Sequence, residues 1–294
     1  MNIISKKQKK LNSYFSKKVL SFFILSSIFV SANCLFATYF SYLLFETEPN
    51  FKLLFAVFCI TFTVYNLNKL TDKKEDLVNL PERMSYIQDE ELLIFVMLIS
   101  WFMAILLSFS VNFLIIPLIL FPFIAGILYS IQIHPKIPRF KDITGLKSFI
   151  VAISWVAVVS FIPSIYLQNV NIKITLISYL IFIKLFVNAV VFDIRDIEGD
   201  RENNIKTIPV VMGLSKTKKL LFAIHSTLIP WLAVSLYLGF FTRYLPVLIF
   251  CIIYGYWYIH YFCTTQKIPK FATDILVDGE WILIAALCFI ITII

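Results

Sequence analysis

Asn68, Asp72 and Asp76 recur every four residues where an apolar stretch gives way to a basic one. On a helix this spacing advances about 40° per step, so the three side chains form one stripe. A second acidic run, Asp193, Asp196 and Asp200, closes another apolar stretch with spacings of three and four that again favour one face. Asp72 to Asp196 and Asp76 to Asp200 are both offsets of 124 residues, which marks the runs as two copies of one device. Carboxylates joined by an amide oxygen suit a hard cation. Magnesium is usually held by one or two carboxylates plus substrate phosphates, so two such sites facing each other would grip one diphosphate.

The elements that must position these stripes lie in a membrane. The chain of 294 residues is 60% hydrophobic and 15% charged, with 30 Phe and only 7 Gly. A soluble domain carries about 25% charged residues. Apolar segments recur at about 19–45, 53–68, 92–108, 112–133, 148–167, 174–192, 220–240, 244–262 and 275–294. They predict an all-α polytopic membrane protein, nine transmembrane helices bundled around a central chamber. Residues 1–18 read as a basic cytoplasmic tail. Residues 19–294 form one domain of two pseudo-repeats, about 19–133 and 148–262, plus a last helix. Nearly all Lys and Arg fall in the tail and in alternate loops, whereas the other side holds only Lys52, Lys173 and Arg243. This asymmetry places the N-terminus and both acidic runs in the cytoplasm and the C-terminus opposite. It also accounts for the net charge of +8 without a nucleic-acid partner. The five cysteines lack paired or ligand spacing and read as packing residues, and His134, His225 and His260 likewise show no ligand pattern.

A charged side chain at a helix centre costs roughly 2.5–3.5 kcal/mol on the insertion scale. The acidic residues therefore face a polar cavity or lie at the interface, and clustered they repel one another unless cations are bound. Lys184 lies inside the sixth apolar segment, with Asn188 one turn on, and an intramembrane Lys is a functional candidate. It predicts either a cavity-facing role toward the diphosphate or a buried pair. Asp274 and Asp278 share a face at the start of the last segment, where they would close the chamber or cap the helix.

These motifs resemble those of the UbiA-type intramembrane prenyltransferase superfamily, nine-helix proteins with two Asp-rich motifs after the second and sixth helices. The resemblance extends over essentially the whole chain. The first motif matches at Asn68, Asp72 and Asp76, and the second at Asp193, Asp196 and Asp200, followed by Arg201 and the run Lys206 to Val210. The segment from Gly126 through Tyr129, Ser130, Lys136, Arg139, Lys141, Asp142 and Lys147 is similar too. The resemblance implies a Mg2+-dependent transfer of a prenyl group from an isoprenyl diphosphate to a membrane-associated acceptor, an aromatic quinone precursor or a lipid. It implies Asn68 and the five motif aspartates as metal ligands, with Asp72, Asp76, Asp196 and Asp200 acting in catalysis. Asn68, Tyr129, Lys136, Arg139, Lys184, Arg201 and Lys206 are the candidate diphosphate contacts, and Asp142 is the candidate base for the acceptor proton. Many members with aromatic acceptors carry Asp directly after the motif Asn; here Lys69 stands there, which leaves the acceptor open.

Two other readings fit the same residues. A terpene cyclase of the same fold would let the prenyl cation be attacked by its own chain. An ion-coupled transporter would use the acids as an ion path, although they cluster on one side and do not continue across the bilayer.

Overall fold

The computed structural model describes residues 22–81, 89–130, 143–167, 172–265, 268–269 and 271–293, with the side chains of Lys74, Glu75, Tyr129, Ser130 and Ile293 left out. The described residues are helical with no strand. The helices are α1 (Ile28–Leu44), α2 (Phe51–Thr71), α3 (Lys73–Asn79), α4 (Glu90–Val111), α5 (Ile116–Ser130), α6 (Leu146–Tyr166), α7 (Ile172–Arg195), α8 (Ile197–Glu202), α9 (Ile208–Tyr237), α10 (Thr242–Thr264) and α11 (Asp274–Thr292). Of these, α2, α4, α6, α7, α9, α10 and α11 are long and apolar enough to cross a membrane. Two shorter apolar helices, Ile28–Leu44 and Phe113–Leu128, match the first and fourth apolar segments.

Local chemistry sets the helix ends. The Asn50 side chain accepts from the Leu53 N–H at 3.2 Å and starts α2; Asp89 does the same for α4 through Leu92 N–H at 3.0 Å. Asn112 ends α4, and its side chain accepts from Leu114 N–H at 2.9 Å, which makes the turn into α5. The outer face of α4 carries Phe95, Phe102 and Phe109, each at least 60% exposed and seven residues apart. Such a patch suits lipid and would be a liability in water.

Two apolar cores hold the bundle. The larger joins α1, α7, α9, α10 and α11 with Val156 and Val159 of α6, and the smaller joins α2, α4 and α5 with Trp155, Val158 and Ile162 of α6. Helix α6 thus packs against both sequence halves, and α1 of the first half enters the core of the second.

The first segment, expected over 19–45, departs from one continuous helix: it is helical at residues 22–25 and again over Ile28–Leu44, with a break at Ser27, whose φ is +69°. The freed Leu25 carbonyl and the Ser27 hydroxyl both accept from Lys69 Nζ at 2.5 Å. A second departure concerns the first acidic stripe. The four-residue spacing on its own reads as one continuous helix from Asn68 to Asp76; instead Asp72 (φ −104°, ψ 26°) separates α2 from α3. The stripe survives because Asp72 N–H still donates to the Asn68 carbonyl and Asp76 N–H to the Asp72 carbonyl.

Asp196 (φ −94°, ψ 10°) separates α7 from α8 in the same way. Each motif is therefore a long helix, a bend at an aspartate, and a short helix bearing the next aspartate. The two short helices meet where Gly199 N–H donates to Asn79 Oδ1 at 3.0 Å. A Cβ on Gly199 would lie 2.4 Å from that amide oxygen. Gly199→Ala and Asn79→Ala should each strand the same donor and lower stability by about 1–3 kcal/mol. The double variant should be no worse than the singles, as read by thermal unfolding in detergent; additive losses would mean that the contact is not shared.

Candidate active site

The bends aim both stripes into one chamber of about 250 Å3. Asn68, Asp72 and Asp76 line it from one side and Asp193, Asp196 and Asp200 from the other. Of these, Asp76, Asp193 and Asp200 are buried. Below the acids the wall turns apolar and aromatic, with Val64, Tyr65, Val151, Trp155 and Leu185. Tyr65 and Trp155 stack with centroids 5.9 Å apart. Both also border a smaller cavity of about 40 Å3, together with Asp278 and Trp281.

Basic side chains already sit among the acids. Lys147 Nζ lies 2.7 Å from Asp193 Oδ1 and 3.6 Å from Asp200 Oδ2, and Ser148 Oγ donates to Asp193 Oδ2 at 2.9 Å. Arg195 forms a two-point pair with Asp196, Nε to Oδ1 at 2.7 Å and Nη2 to Oδ2 at 2.9 Å. Its Nη1 reaches Asp274 Oδ2 at 3.3 Å and Thr273 Oγ1 at 3.1 Å. Burial pushes the Asp200 carboxyl up to about 6; Lys147 opposes the shift, while Asp193 and Asp196 add to it. Seven aspartates line the chamber against Lys69, Lys147 and Arg195, so a further cation is electrostatically welcome.

Among the described residues no three acidic, His or Cys side chains stand close enough to hold an ion by themselves. Both stripes line the chamber, where Lys147 pairs with Asp193 and Asp200, and Arg195 with Asp196 and Asp274. Asn68 Oδ1 is buried without a hydrogen bond, a ligand-type oxygen left unsatisfied beside the acids. This donor set fits a magnesium ion that takes a few carboxylate or amide oxygens and completes its shell with substrate phosphate.

Several residues singled out in the sequence lie elsewhere. Arg201 and Lys206 are exposed and do not line the chamber. Lys184 is 1% exposed and is absent from the chamber wall; its ammonium is held 2.6 Å from Glu280 Oε1. The diphosphate contact expected of it gives way to the buried pair, because α11 brings a carboxylate to the same depth. Lys136, Arg139 and Asp142 lie outside the described residues, as does the Tyr129 side chain. Sequence reasoning passed over Lys147 and Arg195 as site residues. Lys147 was legible as the last cation before an apolar segment, and Arg195 as a cation set between two motif acids. Asp274 and Asp278, on a π-helical turn at the start of α11, line the chamber. Lys69 lines it too, although its spacing puts it off the acidic stripe.

Fold and site together define a polytopic helical membrane protein with a one-sided acidic chamber that opens into an apolar one. The model of the UbiA prenyltransferase family matches residues 19–272, and the chain belongs to that family. No curated protein matches the sequence. Among solved structures, a UbiA homologue from Archaeoglobus fulgidus bound to GPP and Mg2+ superposes with a TM-score of 0.70 at 16% identity, covering 92% of this chain and 99% of that one. The apo UbiA homologue from Aeropyrum pernix K1 gives 0.66 at 13% identity, covering 90% and 98%. A digeranylgeranylglyceryl phosphate synthase gives 0.58 at 17% identity, covering 94% and 97%. At these identities the likeness speaks for the fold.

Proposed function

We propose that this protein is a Mg2+-dependent intramembrane prenyltransferase that ionises an isoprenyl diphosphate and transfers the prenyl group to a membrane-associated acceptor. One observation carries the reading: two acidic stripes 124 residues apart in sequence converge on a single chamber, whose wall includes Asn68 with its Oδ1 buried and unbonded. The family membership supports it, as does the GPP and Mg2+ bound by the Archaeoglobus homologue.

Asn68, Asp72 and Asp76 on one side and Asp193, Asp196 and Asp200 on the other would hold the metal. Magnesium, when bound, neutralises the departing diphosphate. Lys147 adds positive charge beside Asp193 and Asp200, where charge grows on the leaving group. The substrate C–O bond breaks and its electron pair leaves with diphosphate. The faces of Tyr65 and Trp155 stabilise the allylic cation, and the apolar wall keeps water from capturing it. The acceptor nucleophile bonds to the cationic carbon and gives up its proton, for which Asp142 is the proposed base; Tyr129, Lys136 and Arg139 are proposed contacts to the diphosphate.

Purified protein with labelled prenyl diphosphates and a lipid-extract acceptor pool tests this reading. Diphosphate release should require magnesium and accompany an acceptor-dependent adduct. A cyclic hydrocarbon or alcohol formed without acceptor would make the protein a cyclase. Full turnover in excess EDTA would exclude the metal mechanism.

The same reading puts nine crossings in the bilayer, the seven long helices plus Ile28–Leu44 and Phe113–Leu128, with the N-terminus and chamber mouth cytoplasmic. The 17 residues of α1 span about 25 Å, just short of the ~30 Å hydrocarbon core. In a cysteine-free background, Lys206→Cys should label only from the cytoplasmic side and Glu48→Cys only from the other. Labelling of both from one side would overturn the topology.

A further inference from the structure

We infer that Arg195 is a built-in counter-cation for Asp196 that passes to the diphosphate when a metal takes its place. The inference rests on the diphosphate chemistry proposed above and adds a residue which that reading does not use.

Arg195 occupies both oxygens of Asp196 through its Nε–H and Nη2–H edge. A metal ligated by Asp196 must displace that edge. The guanidinium does not depend on Asp196 for its place, however. Nη1 is held separately by Asp274 Oδ2 and Thr273 Oγ1, and the guanidinium carbon lies 4.8 Å from the centroid of the Phe192 ring. Losing Asp196 would therefore leave an anchored guanidinium bordering the chamber with two parallel N–H donors unsatisfied. Arg195, Asp196, Phe192 and Asp274 all line that chamber. A donor edge of this shape matches two phosphoryl oxygens, which a Lys ammonium does not.

The consequence is coupling. With metal alone, the displaced Arg195 would keep Asp274 and Thr273 but leave its Nε–H and Nη2–H donors unpaired in a partly buried site, which is costly. With diphosphate present it regains two charge-assisted bonds. Metal and diphosphate should therefore bind with positive cooperativity, part of which is stored in one side chain. Lys147 is less suited to this role, because Asp193 is also held by Ser148 and keeps a partner of its own.

The test uses full-length protein in detergent, Mn2+ as the metal and inorganic diphosphate as the anion, with no turnover required. Arg195→Gln should bind Mn2+ about tenfold more tightly in the absence of diphosphate, since hydrogen bonds to charged groups are worth about that factor. The same variant should bind diphosphate about tenfold more weakly at saturating Mn2+. The two shifts have opposite signs, whereas a residue that merely orients Asp196 would weaken both. Arg195→Lys keeps the charge without the paired edge and should move both affinities in the same directions by smaller factors, which keeps the test open if the Gln variant does not fold. Mn2+ affinity in Arg195→Gln at or below that of wild type, or unchanged diphosphate affinity, overturns the inference alone. Absence of Mn2+ binding to the wild type, with or without diphosphate, overturns the metal reading and this inference with it.

Discussion

Asp72→Ala and Asp196→Ala should each lower diphosphate release by roughly 10²–10³-fold, and the double variant should be little worse than either single. The two aspartates sit at equivalent bends, one between α2 and α3 and the other between α7 and α8, and both line the same chamber. Residues that serve one transition state are strongly non-additive, because once one side of the grip is lost the other has little to hold. Folding should survive, since each change removes charge from a mutually repelling cluster, and in Asp196→Ala the guanidinium of Arg195 keeps Asp274 and Thr273. Lys69→Ala is the control. Its ammonium bonds the Leu25 carbonyl, Ser27 and Asn66 at the break before α1, so release should stay closer to wild type while acceptor choice or the stability of that break changes. Released diphosphate at matched levels of folded protein reads all four variants. Near-neutral single variants whose small losses add would mean that the stripes are ordinary solvated charges.

Glu280→Gln should destabilise the protein by about 3–5 kcal/mol, whereas Lys184→Met combined with Glu280→Leu should come out near wild type or above it. Lys184 and Glu280 are 1% and 0% exposed and cross-link α7 to α11 at 2.6 Å. Removing one partner leaves a charge in a low-dielectric interior. Removing both relieves two desolvation penalties and keeps apolar volume. Lys184 also donates to the Cys251 carbonyl and to Tyr258, both at 3.3 Å, but the Tyr258 hydroxyl has its own acceptor in Asn188 Oδ1 at 2.8 Å, so the double variant strands little. Chemical unfolding in detergent micelles gives the stabilities. Diphosphate release per folded molecule should remain within a few-fold of wild type in the double variant, because Lys184 does not line the chamber. A loss comparable to that of Asp72→Ala would restore Lys184 to the substrate.

The two predictions differ in how much of their basis the sequence supplied. Spacing alone put Asn68, Asp72 and Asp76 on one face, and the offset of 124 residues paired them with Asp196 and Asp200. Such patterns are local: a helical period survives even the bend at Asp72, because the backbone bonds from Asn68 through Asp76 continue. The seven long helices were legible for the same reason, since lipid demands runs of apolar residues whatever packs behind them. Partner choice was not local. That Lys184 would meet Glu280, 96 residues away, depended on how α11 docks against α7. That Lys147 would face Asp193 and Arg195 would bridge Asp196 to Asp274 depended on three helix ends converging at one depth. The aromatic lining shows the same division. Thirty Phe residues marked a membrane protein, but only the packing of α2 against α6 put Tyr65 and Trp155 on the chamber wall. Local sequence was enough to show which segments are apolar enough to cross a membrane and which polar residues repeat along a helix, because periodicity and hydropathy are properties of a single segment. The tertiary structure decided which charges meet, because an ion pair across a bundle depends on the relative placement of helices that no single segment encodes.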